Sequence, residues 1–113
     1  MTIDMLTAYG ANTKEGLQRC MNNDGFYLRL VKMIPGDDHF QKLYDAVEAG
    51  DLAAAFDAAH ALKGSTGNLA LTPIFVPVSE ITELLRARTE TDYMPLVTAI
   101  RDAQKKLCDI CAD

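Results

Sequence analysis

A histidine, a lysine and two glycines crowd one short stretch, Ala59-His60-Ala61-Leu62-Lys63-Gly64-Ser65-Thr66-Gly67-Asn68-Leu69. An imidazole in water is mostly neutral at pH 7, and one ring nitrogen then carries a free lone pair able to attack phosphorus. Lys63, one helical turn on, can offset the charge of a phosphoryl group placed on that ring. On a helix turning about 100° per residue, Ala55, Ala58, Leu62 and Leu69 all fall within about 40° of the point opposite His60. The apolar stripe therefore faces inward and the imidazole outward. By the same count, Lys63 lies about 60° to one side of His60, Gly64 about 40° to the other, Gly67 about 20° away and Asn68 about 80°. A glycine inside a helix costs about 0.5–1 kcal/mol relative to alanine. Two of them on an exposed face gain nothing from core packing, but they let another molecule come close.

Plainer readings compete at each position. A lone surface histidine followed by a lysine is ordinarily just solvated. The glycines could mark a helix end, but the apolar period runs on to Leu69. A metal site would need a second histidine or a carboxylate one turn away, where the chain has Gly64, and Asp57 alone is a thin partner. No metal ligands are therefore assigned. His39, beside Asp37 and Asp38 at a helix start, reads as a solvated or capping-region residue. Cys108 and Cys111 form a CxxC at the end of a helical pattern. A redox CxxC opens a helix after a strand, so these read as small packing residues.

The elements that must position this stretch are all helical in period. Breaks fall at Pro35-Gly36, Gly50-Asp51, Leu71-Thr72-Pro73 and Thr89–Asp92. Residues 2–9 suit a short first helix, and Asn12 or Thr13 can cap a turn that includes Leu17 and Met21. Asp24 can cap a helix through Phe26, Leu30 and Met33 that Pro35 ends. Asp37 or Asp38 opens the next, with Phe40, Leu43, Tyr44 and Val47 on one face and Gly50 at its left-handed end. Asp51 caps the central helix, from Leu52 to Leu69. Thr72 is a good cap before Pro73, and Ile74, Val78, Ile81, Leu84 and Leu85 follow at helical spacing, with a local kink expected at Pro77. Asp92 caps the last helix, whose stripe is Val97, Ile100, Ala103, Leu107 and Cys111. No segment alternates as a half-buried strand does. Short connections favour an antiparallel up-down bundle, so the expected fold is all-α.

Bulk properties agree. Hydrophobic residues make up 49% of the 113, enough for one core, and aromatics only 7%, so aliphatic side chains must fill it. The formal charge of −5 argues against a nucleic-acid partner, which rewards a concentrated basic surface. No apolar run suggests a membrane span and no leader is visible, so a cytoplasmic location is expected. Three cysteines, an odd number, suit a reducing compartment.

His60-Ala61-Leu62-Lys63-Gly64 followed by Gly67-Asn68-Leu69 resembles the HxxKGxxxN signature of histidine phosphotransfer domains. Phe26-Tyr27-Leu28-Arg29-Leu30 resembles the aromatic-rich helix before the site in that family. Ala49-Gly50-Asp51 resembles its turn into the phosphorylated helix, and Glu80–Arg88 its following amphipathic helix. Two features depart from the plainest pattern: Pro35-Gly36 interrupts a region often built as one longer helix, and Pro77 interrupts the helix after the site. The resemblance covers nearly the whole chain. It implies a single histidine phosphotransfer domain over residues 1–113, built as a four-helix bundle with additional short N-terminal helices. It further implies that His60 accepts a phosphoryl group from a receiver-domain aspartyl phosphate and passes it to another receiver. Lys63 would support the phosphoryl charge, Gly64 and Gly67 would admit the receiver, and Asn68 would help hold the docking face.

The partners expected on this basis are receiver domains of response regulators or hybrid sensor kinases. The chain is expected to be a monomer that binds no cofactor, with a divalent metal on the partner receiver. No phosphate-cradling glycine loop is visible and 113 residues leave no room for an ATP-binding domain as well, so the chain is expected to be a carrier of phosphate rather than an autonomous kinase. One rival is a helical interaction module that docks receiver-like partners without phosphoryl transfer; another is a small metal-dependent hydrolase. Phosphorylation of His60 separates the first, and metal content the second.

Overall fold

The computed structural model describes residues 1–112, and among them the chain is all-helical. The order is α1 Ile3–Tyr9, α2 Thr13–Arg19, α3 Asp24–Met33, α4 His39–Ala49, α5 Leu52–Asn68, α6 Thr72–Arg86 and α7 Met94–Cys111. Polar side chains start the helices by accepting orphan amide protons. Thr2 accepts from the Met5 amide, Asn12 from Glu15, Asn23 from Phe26 and Asp51 from Ala54. Gly10 and Gly50 end α1 and α4 in the left-handed region, at φ 114° and 72°.

Helices α4 to α7 run up and down. Only Gly50 and Asp51 separate α4 from α5, so the two pack antiparallel. The bundle closes from α7 back to α4. Tyr44 Oη meets Gln104 Oε1 at 2.7 Å, and Gln104 Nε2 donates to the Pro35 carbonyl at 3.0 Å. The core is aliphatic, with Leu43, Leu62, Leu71, Ile74, Ile81, Leu85, Ile100 and Leu107 fully buried. Its two buried polar side chains, Thr66 and Thr82, each donate to the carbonyl four residues back, at 2.7 and 2.6 Å. No helix among the described residues is long and apolar enough to cross a membrane.

Several boundaries and one face differ from the sequence expectation. Helix α2 stops at Arg19, and Met21 lies beyond it, 84% exposed, at φ 57°. Asn23, not Asp24, caps α3. More important, α3 buries Tyr27 and Val31 and leaves Phe26 and Met33 exposed. Two apolar stripes one residue apart run along this helix, and the one that wins gives a polar tip a partner. Tyr27 Oη donates to the Leu69 carbonyl at 2.9 Å. Asp38 holds the cap position of α4 without a side-chain cap bond, and Asp37 instead accepts from the His39 amide. Thr72 is the first residue of α6, not its cap, and α6 runs on through Pro77. Tyr93, not Asp92, holds the cap position of α7 without a side-chain cap bond, although Asp92 accepts from the Met94 amide.

The N-terminal helices lie against the bundle. Tyr9 Oη donates to the Ala103 carbonyl of α7 at 2.7 Å. The Asn12 amide donates to the Ala70 carbonyl at 2.9 Å, and Arg19 Nη1 to the Gly67 carbonyl at 2.9 Å. Gly16 is required by the same packing, because a Cβ there would stand 2.6 Å from the Tyr27 ring. Burial, with a smaller effect of Cys20, pushes the Tyr27 hydroxyl from its ordinary 10.0 up to about 12. A raised tyrosine contributes stability that is complete below its unfolded value and lost as pH rises through the folded one. Tyr27→Phe should therefore cost about 1–3 kcal/mol in urea unfolding near neutral pH, by leaving the Leu69 carbonyl unpaired. The variant should also lose less stability than the parent between pH 10 and 12.

Candidate functional site

Helix α5 is built to show one side. Ala55, Ala58, Ala59, Leu62 and Thr66 are buried, while His60, Ala61 and Gly64 are exposed. The imidazole therefore points away from the core, as the period predicts. Among the described residues no hydrogen bond or ion pair reaches its ring nitrogens. Its one ring contact is Phe56, with centroids 5.4 Å apart.

His60 opens onto a groove of about 630 Å³ between α2, α5 and α6. Lys63, Gly64, Gly67 and Asn68 all line it, so the five residues singled out by sequence come together. They are joined by residues the sequence did not point to: Glu15 and Arg19 from α2, Phe75 and Val76 from α6. Val76 is 56% exposed, an apolar side chain at the groove that the bundle does not cover.

The two glycines differ. A Cβ on Gly64 would meet nothing within 4 Å, so its side of the helix is open. A Cβ on Gly67 would stand 2.9 Å from Phe75 Cε1. Gly67 thus makes room for a ring of its own chain. That corrects the expectation that both glycines gain nothing from packing; only the pairing of α5 with α6 reveals it.

Lys63 is not free. Its Nζ donates to Glu83 Oε1 at 3.1 Å, and Arg86 Nε donates to Glu83 Oε2 at 3.2 Å. The bond from Lys63, then that from Arg86, holds the Glu83 carboxyl below its ordinary range. Arg86 and Arg88 also lie over the Phe56 ring, at 5.0 and 5.7 Å from its centroid. On the other side of the groove Arg19 pairs with Glu15 at 2.7 Å. No spacing rule within α5 leads to these partners, which come from α2, α6 and the residues after α6.

Two other features fall outside the groove. Asp37, Asp38 and His39 bring potential ligand atoms within 4.8 Å of one another, with His39 Nδ1 2.7 Å from Asp37 Oδ1. Cys108 is exposed and Cys111 half-buried near the end of α7, both free thiols.

The site is thus an exposed imidazole on a helical bundle, with a cation one turn on and an open groove beside it. The family model for the Hpt domain matches residues 36–109, more than half of the chain. The chain belongs to the histidine phosphotransfer (Hpt) domain family, and is a phosphotransfer module of the kind used in two-component systems. Helices α1 to α3 lie before the matched residues. No curated protein and no solved structure gives a significant match.

Two measurements follow from this geometry. Gly64→Ala should stabilise the protein by about 0.5–1 kcal/mol, whereas Gly67→Ala should forfeit that gain by displacing Phe75; urea unfolding of both variants compares them. In a pH titration followed by carboxyl NMR, Glu83 should titrate below ordinary glutamates, and Lys63→Ala should move it back up. The Lys63–Glu83 link is then complete above the ordinary glutamate range and lost as pH falls through the lowered value.

Proposed function

We propose that His60 is the phosphoryl acceptor and that the chain is a phosphorelay intermediate between receiver domains. The observation that carries this reading is the exposed His60 ring, without a hydrogen-bond partner among the described residues, opening on a groove that Gly64 leaves clear. A neutral imidazole nitrogen attacks phosphorus in line with the bond to a receiver aspartate. The N–P bond forms, the P–O bond to the carboxylate breaks, and the aspartate leaves as a free carboxylate. The other ring nitrogen keeps its proton, and the phosphoramidate holds the group until a second carboxylate takes it by the reverse displacement. The receiver supplies the aspartate and a divalent cation.

This chain supplies nucleophile, charge and access. The ammonium of Lys63 has three N–H donors and spends one on Glu83, which leaves others for a phosphoryl oxygen. Gly64 leaves room for the receiver, and Val76 with the polar residues Glu15 and Arg19 flanks the approach.

Mixed with a phosphorylated receiver of its pathway, the protein should acquire label that is stable in base and lost in acid, as a phosphoramidate is. His60→Gln should abolish the label with the fold intact, because an exposed side chain adds little to packing. Lys63→Ala should slow transfer without stopping it. Gly64→Leu should weaken docking and leave the helix as stable or more so. Label at the normal rate in His60→Gln would overturn the acceptor assignment and favour a docking module.

A further inference from the structure

Phe56 lies one turn before His60 on the same face of α5, and the two rings meet at 5.4 Å with a 52° tilt. The neighbouring outward positions Ala53, Ala54 and Ala61 are small, so the large ring is an exception there. An exposed histidine in a helix with no other partner would exchange between the two staggered χ1 wells that the preceding turn leaves open. In-line attack uses one orientation of the ring, so time spent in the other is lost to the reaction.

The Phe56 ring is itself fixed. It is half-buried and packs against the core. The Arg86 and Arg88 guanidinium groups stand over it at 5.0 and 5.7 Å. Arg86 is tied to Glu83, which is tied to Lys63. A chain of contacts thus leaves α5 at Phe56, crosses to α6 and returns to α5 at Lys63, with His60 between its two ends.

We propose that Phe56 is a positioning residue for phosphoryl transfer: its ring, held by Arg86 and Arg88, fixes the orientation of the His60 imidazole. This rests on His60 being the acceptor. A ring that only filled space could be replaced by leucine without consequence for the reaction. A ring that orients the imidazole could be replaced by tyrosine but not by leucine.

The test uses the full chain and a receiver domain chosen because it labels the parent protein. At saturating receiver, Phe56→Leu should slow single-turnover transfer about twofold or more, the scale set by two accessible staggered wells. The receiver concentration for half-maximal rate should stay unchanged, because docking is untouched. Phe56→Tyr should restore the rate, and Arg86→Ala should give an intermediate loss. Scalar couplings across His60 χ1 should report one rotamer in the parent and in Phe56→Tyr, and averaged values in Phe56→Leu. Transfer at the parent rate in Phe56→Leu, or averaged couplings already in the parent, would overturn the proposal. His60→Gln run alongside separates the two claims. If it takes label, the acceptor assignment fails; if it stays unlabelled while Phe56→Leu is normal, only the role of Phe56 fails.

Discussion

The C-terminal end of α5 has carbonyls that its own helix cannot pair, and the structure depends on how they are answered. A helix leaves its last four carbonyls without intrahelical donors. Here the donors come from within the turn and from the N-terminal helices. The Leu71 amide reaches the Thr66 carbonyl at 2.9 Å and the Ala70 amide reaches Gly67 at 3.1 Å. Arg19 adds a bond to Gly67, Tyr27 takes Leu69, and the Asn12 amide takes Ala70. The turn requires Ala70 at φ 54°, a conformation alanine adopts only where its surroundings hold it. The segment before the family match therefore does structural work at the end of the helix that carries the site. The same bonds bring α2 to the edge of the groove, which Glu15 and Arg19 line.

The inward face of α5 explains how the outward face stays available. Ala55, Ala58 and Ala59 are nearly fully buried and contribute little bulk. Neighbouring helices can then approach closely, and the larger side chains of α4, α6 and α7 fill the centre. Phe40, Leu43, Ile74, Ile81, Leu85, Ile100 and Leu107 supply that volume. Since α5 is held by a stripe of alanines with Leu62, neither His60 nor Gly64 is needed for the core. Gly64 can remain a glycine and His60 can remain exposed without weakening the packing beneath them.

What the sequence made legible follows from this division. The 3.6-residue period placed His60 opposite Leu62 correctly, because α5 has a single apolar stripe. It misplaced the inward face of α3, because Phe26-Leu30-Met33 and Tyr27-Val31 are equally periodic and only the Leu69 carbonyl across the fold distinguishes them. Capping chemistry found Asp51 and Asn12, whose side-chain oxygens act locally. It erred at Thr72, where the turn is set by Ala70 and Leu71 instead. Gly64 and Gly67 looked alike in one dimension and separate only once Phe75 is packed against α5. Phe56, Glu83, Arg86 and Arg88 form a set only through the pairing of two helices, which no spacing within either one encodes.

The site combines rigid and adjustable parts, and the division follows the strength of the contacts. The chain has a formal charge of −5, yet Arg19, Lys63, Arg86 and Arg88 gather around the groove or the Phe56 ring beside it. Glu15 and Glu83 pair with three of them. Such exposed pairs are weak, because water screens them and long side chains lose freedom in forming them. On the proposed reading, a doubly charged phosphoryl group on the imidazole would draw Lys63 toward it at little cost, while Glu83 keeps Arg86. The aromatic contact at Phe56 behaves differently, since a half-buried ring packed against the core has few alternatives. With His60 as the proposed nucleophile, its orientation would rest on packing, which changes little when charge arrives. Compensation of the charge would rest on exposed ion pairs, which can rearrange as charge enters or leaves.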